Sequence, residues 1–309
     1  MKIVFFGSSG LSAIVLDSLL SAGIEIPLVI TKEPKRKGRG KSESPTPLGE
    51  KARELALNLI ETDDPNSNYI EEKIKETGTD TFVLASYGAI LKENILEIAR
   101  YPLNIHPSVL PKYRGPSPVA RALMNGEKKT GITIFLMGKG VDTGDIVRIK
   151  EIPILPYEVR TELEKRLFKE AAEPILSVLT DIEEGKKPER LSQDDSKSSY
   201  APKIKKEECK IEWGETASRI EGKIRGLSYH PGAFCIFRGK KLKIFRAVKL
   251  TEINAMSPPG EILNTDENIT VKCGEGAIKI KEVQLQSRST MNAKSLINGY
   301  HIKPGEKLE

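Results

Sequence analysis

Three side chains near the middle of the chain have types and spacing suited to chemistry. Asn104 and His106 stand two positions apart in Asn104-Ile105-His106-Pro107-Ser108-Val109-Leu110-Pro111-Lys112-Tyr113-Arg114-Gly115. On a strand both point to the same face. Pro107 and Pro111 stop regular structure just after them. Asp142 lies in Gly140-Val141-Asp142-Thr143-Gly144-Asp145, a glycine-rich turn in which backbone approaches a ligand closely. An amide, an imidazole and a carboxylate, each at a strand end, can stabilise an oxyanion and move a proton. A lone histidine near a strand end is usually structural, and an aspartate in a glycine-rich turn usually serves the turn. The grouping of the three around a Ser-x-Leu-Pro-x-x-x-Gly run makes the pattern specific.

Strands and helices must alternate to hold these residues. Strands are expected over residues 3–6, 26–30, 81–86, 103–106 and 131–137, with helices between them over 11–21, 69–76 and 118–125. This βαβ alternation predicts an α/β domain with a doubly wound, mostly parallel sheet. Gly7-Ser8-Ser9-Gly10 follows the first strand, but the full G-x-G-x-x-G is absent, so it reads as a tight strand-to-helix turn rather than a dinucleotide site. Residues 161–184 read as one long helix ending at Gly185, and 186–199 as a polar, turn-rich linker. Beyond it, 209–213 reads as a strand and 216–225 as a helix. Short strands then follow at 233–237, 242–248, 260–263, 269–273 and 277–285. Five short strands with glycine-rich turns suggest a small barrel of OB type. The expected organisation is a catalytic domain at 1–189, a linker at 190–205 and an OB-like β-barrel domain at 206–309.

The 309 residues are enough for two domains with ample core. No run of 18 apolar residues exists, so no transmembrane helix is expected. The opening Met1-Lys2-Ile3-Val4-Phe5-Phe6-Gly7 reads as a strand entering a turn, not as a secretory or transit segment, and a cytoplasmic location is the default. Cys209, Cys235 and Cys273 are odd in number and widely spaced, which argues against a disulfide framework or a zinc cluster. Cys235 and Cys273 read as core strand residues, and no metal site is expected.

Net charge is +6, and its distribution is uneven. Residues 201–309 hold 20 Lys+Arg against 13 Asp+Glu, whereas residues 1–200 hold 29 against 30. A small basic domain beside a neutral catalytic one suggests a polyanionic partner. A second basic feature follows the second strand, at the sheet edge of the candidate site. Residues 32–41, Lys-Glu-Pro-Lys-Arg-Lys-Gly-Arg-Gly-Lys, carry six basic residues and one acid. Pro34, Gly38 and Gly40 forbid a regular helix, so a flexible loop that grips phosphates is expected.

The Asn-x-His, Ser-x-Leu-Pro and glycine-flanked Asp together resemble the signature of the folate-dependent formyltransferases. Val109 stands for the first leucine of that signature, and Pro107 stands where many members have glycine. The resemblance covers nearly the whole chain. Gly38-Arg39-Gly40-Lys41 is similar to the basic insertion loop of the members that act on tRNA, and Pro45-Thr46-Pro47 to the Pro-Ser-Pro after it. Ser86-Tyr87-Gly88-Ala89-Ile90-Leu91 is similar to the family's Ala-Tyr-Gly-Leu-Ile-Leu, and Ser199-Tyr200-Ala201-Pro202-Lys203-Ile204 with Ile211-Glu212-Trp213 to the segment entering its C-terminal domain. Two stretches depart from the pattern. Ser8-Ser9-Gly10-Leu11 stands for Thr-Pro-Asp-Phe, and Leu227-Ser228-Tyr229-His230-Pro231-Gly232 stands for an aromatic Pro-Trp-Pro run. His230 reads as structural or surface.

The resemblance implies 10-formyltetrahydrofolate as formyl donor and the amino group of methionyl initiator tRNA as acceptor. It implies catalytic roles for Asn104, His106 and Asp142. It places the folate against Ser86, Tyr87, Gly88, Ile90, Ser108, Val109, Leu110, Pro111, Met137, Gly138 and Val141, and tRNA against Lys35, Arg36, Lys37, Arg39, Lys41, Lys203, Lys205 and Lys206. A monomer without a membrane partner is expected. In such a reaction Asn104 and an inward N–H of His106 would donate to the developing oxyanion, and Asp142 would hold the imidazole and accept protons. Neither Ser108 nor a cysteine is placed as a nucleophile, so direct transfer is expected over an acyl-enzyme. Two alternatives share these residues in part: a formyltransferase for a small amine, such as glycinamide ribonucleotide or an amino sugar, and a non-catalytic RNA-binding protein. The basic loop and basic C-terminal third favour tRNA over a small acceptor. The complete set of three chemical residues disfavours a binding protein.

Overall fold

A computed structural model describes residues 1–37, 42–253 and 256–309. The chain divides into two compact units. One comprises Met1–Pro116, Thr130–Ile152 and Glu164–Tyr200, and the other Ser117–Lys129, Pro153–Leu163 and Ala201–Glu309. Neither unit is contiguous in sequence, whereas the sequence-based division is linear. Against the expected limits of 1–189, 190–205 and 206–309, the second unit's long segment begins at Ala201, and the unit takes in Ser117–Lys129 and Pro153–Leu163 as well.

In chain order the first unit opens with β1 (Lys2–Gly7), α1 (Gly10–Ser21), β2 (Glu25–Thr31), β3 (Lys35–Lys37), β4 (Ser42–Ser44) and α2 (Pro47–Glu54). It continues with β5 (Leu59–Glu61), α3 (Asn68–Glu76), β6 (Thr81–Ala85), α4 (Glu93–Leu96) and β7 (Tyr101–His106). After α5 (Pro118–Met124) come β8 (Lys129–Leu136), β9 (Ile146–Pro153), α6 (Arg160–Glu170) and α7 (Ala172–Glu183). The seven-stranded sheet has the order β5-β2-β1-β6-β7-β8-β9. Strands β5 to β7 along this order are parallel, and β8 runs antiparallel to β7. Ile3, Val4, Phe5 and Phe6 of β1 and Phe82 and Val83 of β6 are fully buried. Continuous apolar runs of this kind belong to strands covered on both faces.

Local chemistry sets the element ends. Ser9 caps α1, its hydroxyl accepting from Leu11 N and Ser12 N while Ser12 bonds back to the cap backbone. The Ser-Ser-Gly turn that departs from the family pattern is thus a complete capping box. Thr46 caps α2 by accepting from Gly49 N at 2.9 Å, with Pro47 in the first helical turn. The helix expected over 161–184 is instead two, α6 and α7. Pro174 has no N–H to give the Glu170 carbonyl, so the ladder is interrupted there. The basic loop also differs from expectation. Lys35, Arg36 and Lys37 pair with Ser44, Glu43 and Ser42 as a hairpin.

The second unit contains α5 and then α8 (Ala217–Leu227), β10 (Ala233–Phe237), β11 (Lys240–Leu250), β12 (Ile262–Asn264), β13 (Ile269–Lys272), β14 (Ala277–Leu285), β15 (Met291–Asn292) and α9 (Ala293–Tyr300). Its antiparallel sheet has the order β10-β11-β14-β13-β12, with β15 on β14. Register shifts around Arg246 of β11 bend the sheet, the curl expected of an OB-like half-barrel. The concave core gathers Ile220, Ile224, Ile244, Val271, Ile278 and Ile280, all fully buried. The strand expected at 209–213 is absent. Glu207–Cys209 forms a tight 3-10 turn, and Lys210 makes a single bridge to Phe234. Helix α9, capped by Asn292, adds to the elements expected from the sequence.

Glycines let α8 approach α5. A Cβ at Gly222 would lie 2.8 Å from the Leu123 carbonyl oxygen, and one at Gly226 would lie 2.6 Å from that of Ala120. Alanine at either position gains about 1 kcal/mol of helix propensity but forces apart a backbone contact that costs about 1–3 kcal/mol. The G222A/G226A double variant is therefore expected to unfold at lower denaturant than the parent, measured by chemical denaturation. The three cysteines are free and buried. Burial pushes the Cys235 and Cys273 thiols up to about 12. An exposed thiol ionises near ~8.5. The unfolded chain therefore sheds protons first on raising the pH, and these two thiols lose stability for the fold between about pH 8.5 and 12. A thiol reagent at mildly alkaline pH should label them only as the protein unfolds.

Candidate active site

The site is built on the carboxyl ends of the first unit's central strands. Asn104 of β7 lies between Leu84 of β6 and Phe135 of β8, and His106 ends the same strand. Strand alternation puts the two side chains on one face. Asp142 comes from the turn between β8 and β9 and adopts a left-handed backbone, φ 55°. Aspartate tolerates this conformation better than most residues.

His106 Nδ1 faces Asp142 Oδ2 at 3.5 Å, and His106 Nε2 lies 2.9 Å from the Tyr113 carbonyl oxygen. Two acceptors thus flank one imidazole. A ring protonated on both nitrogens donates on both sides, and a neutral ring leaves one acceptor facing a lone pair. Asp142 Oδ2 also accepts from Gly115 N at 2.8 Å. His106 is 5% exposed. Its ring nitrogens are occupied, which differs from the expected N–H aimed at an oxyanion. Asn104 Oδ1, by contrast, is buried and has no hydrogen-bond partner.

A cavity of about 670 Å³ opens beside these groups. Asn104 and Asp142 line it, with Leu84, Leu91, Leu96, Phe135, Met137 and Val141 forming apolar wall. Of the residues expected to hold folate, Ile90, Met137, Gly138 and Val141 line it. The others frame it instead. Ser86, at φ 46°, accepts from Ser9 Oγ at 2.9 Å, which ties the first turn to the cavity loop. Tyr87 is buried against Phe6, ring centroids 5.8 Å apart, and burial pushes its phenol far above the usual range. Gly88 O accepts from the Lys32 ammonium. Ser108 Oγ donates to Lys112 O at 2.7 Å, so it is engaged in its own turn. A Cβ on Gly131 would meet the Val109 side chain at 2.8 Å, and Leu110 packs with Phe135 and Ile146 before a cis bond to Pro111. The cavity also takes in residues outside the expected set: Leu84, Ala89, Leu91, Lys92, Glu93, Asn94, Leu96, Phe135, Lys139 and Gly140.

Gln193 is a further residue that no sequence motif marks. Its amide donates to the carbonyls of Asp142 at 2.9 Å and Gly144 at 2.7 Å, while its oxygen accepts from both Arg114 Nε and Nη2. Ser199 Oγ accepts from Tyr113 N at 2.9 Å, and Ile146 and Leu191 pair. The polar segment read as a linker is therefore the strap that holds the Asp142 turn. At the turn's far side, a Cβ on Gly144 would lie 1.7 Å from Leu136 O, so only glycine fits there.

Among the cationic residues expected at RNA, Lys35 is exposed and lies 3.7 Å from Asp63, and Lys203, Lys205 and Lys206 belong to the second unit. Arg39 and Lys41, and the side chains of Arg36 and Lys37, lie outside the described residues. Tyr229, in the second departing stretch, packs on Phe245 and donates to Glu282 at 2.9 Å, while His230 is exposed. Among the described residues, no helix is long and apolar enough to cross a membrane.

With this geometry in place, the family is decided by two matches. A family model described as Formyl transferase matches residues 1–179, and one described as Formyl transferase, C-terminal domain, matches residues 203–301. The chain belongs to the formyl transferase family. Family relatives match along the whole chain. The methionyl-tRNA formyltransferase of Thermotoga neapolitana is 38% identical over 100% of this chain and 98% of its own length. That of Syntrophomonas wolfei is 37% identical over 100% and 98%. The crystal structure of HypX from Aquifex aeolicus in complex with tetrahydrofolic acid shares the fold, with TM-score 0.68 and 19% identity over 99% of this chain and 48% of that one.

In this formyl transferase the strap is testable. Gln193→Ala should leave Asp142 present but loosely held, lowering kcat by ~10-fold or more. Gln193→Glu, which sets a carboxylate against two carbonyls, should be worse. Steady-state kinetics beside thermal melting separate loosening from unfolding.

Proposed function

We propose that this formyl transferase moves a formyl group from 10-formyltetrahydrofolate to the free amino group of methionyl initiator tRNA. The observation that carries the reading is Asn104 Oδ1. It is a buried, unpartnered polar atom on the wall of an apolar cavity that Asp142 also lines. A buried polar atom without a partner costs about 1–3 kcal/mol, and a substrate N–H in the cavity would relieve that. The Asn104 side-chain nitrogen would donate to the formyl oxygen of the donor, whose formamide nitrogen carries no hydrogen, and Oδ1 would accept from the attacking amine. The cavity suits a flat heterocycle with a polar edge, held by the apolar wall and the backbone of 137–142.

Direct transfer fits the residues present. The acceptor amine attacks the formyl carbon, its lone pair making the new C–N bond as the carbonyl electrons move to oxygen. Asn104 stabilises that oxyanion, and an interaction of this kind contributes about 3–4 kcal/mol to the transition state. The nitrogen's proton passes to the Asp142 carboxylate, which His106 Nδ1 and Gly115 N hold in place. Collapse breaks the bond to the donor nitrogen, which takes up the proton. Ser108 and the buried cysteines play no part, so no acyl-enzyme is invoked.

The full-length relatives named for methionyl-tRNA support this acceptor over a small amine, and so does the placement of charge. The basic hairpin and Lys203, Lys205 and Lys206 are assigned to the tRNA backbone. A cytoplasmic monomer without a membrane partner accords with this role.

Asn104→Ala, His106→Ala and Asp142→Ala should each lower kcat by at least ~10²-fold with little change in melting temperature. Asp142→Asn keeps the left-handed turn but removes the charge, so its rate should fall as far. Near-normal turnover of all of them would overturn the site. Charged initiator tRNA should be formylated and glycinamide ribonucleotide should not.

The RNA interface makes a separate prediction. Replacing Lys203, Lys205 or Lys206 by alanine should reduce the salt slope of tRNA binding by about 0.7–0.9 for each phosphate that the lysine neutralises. Arg39→Ala should slow formylation of tRNA more than any single lysine change while leaving donor binding intact. Arginine's fork can grip a phosphate with two bonds, where lysine offers a point charge. An Arg39→Ala enzyme with unaltered tRNA kinetics at two salt concentrations would remove the loop from the interface.

A further inference from the structure

Tyr200, at the end of the strap, presents a bare aromatic ring on a fixed backbone. The residue is 63% exposed. Among the described residues, no ring, cation or hydrogen-bond partner engages its side chain. Its backbone is pinned. Tyr200 bridges Arg114 in parallel, Arg114 N donates to Ser199 O at 2.9 Å, and Ser199 N donates to Pro111 O at 3.3 Å. This short ladder ends at the chemistry. Gly115 follows Arg114, and its N–H holds Asp142 Oδ2 at 2.8 Å. A ladder neighbour lies about 4.8 Å away and a chain neighbour about 3.8 Å, so the Tyr200 backbone stands on the order of 10 Å from that carboxylate. Asp142 also lines the cavity, whereas none of residues 111–115, 199 and 200 is among the described lining. The carboxylate therefore stands between two surfaces, the cavity and the ladder. With the donor in the cavity, the amine that gives its proton to Asp142 comes in over the ladder. Charge nearby favours a polyanion over an apolar partner. Lys112 of the same ladder is exposed and has no anionic partner among the described residues, and Lys203 stands three positions beyond Tyr200 in the chain.

We propose that Tyr200 is a stacking platform for the terminal base of the acceptor tRNA. This rests on the acceptor assignment above. In an aminoacyl-tRNA, an ester and one ribose separate the reacting amine from that base. An amine at Asp142 therefore leaves the base within reach of the Tyr200 ring. The acceptor end is single-stranded, so its base is free to lie on an aromatic face. Stacking needs only a π-face, so the platform reads no base identity and instead fixes where the end of the chain lies. Tyr200 binds the acceptor and takes no part in proton transfer. Its hydroxyl is not needed, and its ring is.

The loss of one base–aromatic stack should weaken use of the acceptor on the order of 10-fold or more. The experiment compares two chemically charged methionyl initiator tRNAs, one intact and one abasic at the terminal nucleotide. Steady-state kinetics with saturating 10-formyltetrahydrofolate are measured for the parent, Tyr200→Phe and Tyr200→Leu enzymes. The parent should prefer the intact tRNA by about that factor in kcat/KM, mainly through KM. Tyr200→Phe should keep the preference, and Tyr200→Leu should lose it while KM for the donor stays unchanged. Simple loosening of the strap would slow both tRNAs alike and leave their ratio intact. Equal use of the two tRNAs by the parent, a preference that survives in Tyr200→Leu, or one that is lost in Tyr200→Phe overturns the platform while leaving the acceptor assignment standing. Absence of transfer to either tRNA by the parent overturns the acceptor assignment and the platform together.

Discussion

The site depends on one strained turn being held in place. Asp142 sits in a left-handed conformation in a turn whose neighbour, Gly144, touches the Leu136 carbonyl too closely for any side chain. Such a turn persists only when its surroundings over-determine it. Gln193 supplies that by donating to the carbonyls on both sides of Thr143, and Gly115 N fixes the carboxylate. His106 is then held between this carboxylate and Tyr113 O, whose own residue is tied to Ser199. Removal of any one of these ties loosens the rest, because each hydrogen bond restrains a group that another one uses.

The arrangement divides labour between atoms that face the cavity and atoms that do not. His106 and Ser108 satisfy their hydrogen bonds within the protein, and the Ser-Val-Leu-Pro run is a scaffold under the site rather than its wall. Asn104 Oδ1, on the cavity wall, is left as a buried acceptor that no described protein group satisfies. An unmet acceptor in an apolar surround is costly without a ligand, and that cost is itself a source of selectivity. A molecule of the right shape lacking the matching N–H would leave the deficit in place.

Much of this is legible in the sequence. Asn104, His106 and Asp142 stand out by type and spacing, and strand alternation correctly puts the first two on one face. Most strands of both sheets are readable because their apolar runs are bounded by turn residues. The break between α6 and α7 is written in Pro174, but amphipathic periodicity continues through it and hides the signal. Other features are not readable by nature. Gln193 acts on a turn some fifty positions earlier, and nothing local distinguishes it from other polar residues of a linker. Leu84 and Phe135 look like core strand residues, and only the assembled sheet shows them beside Asn104 at a cavity. The capping role of Ser9 is available from Ser-x-x-Ser, yet its bond to Ser86, which joins the first turn to the cavity loop, spans 77 positions.

The packed strap bears on how this protein could be divided. Every residue assigned to the chemistry lies before position 143, and the amphipathic helix α7 ends at Glu183. A gene shortened just after that helix would encode all the catalytic groups. It would nonetheless lack Leu191, Gln193 and Ser199, and with them the clasp on the turn. A fragment that keeps the clasp must therefore run at least to Tyr200, and because Ser117–Lys129 and Pro153–Leu163 belong to the second unit, such a fragment would still strip α5 of its packing on α8.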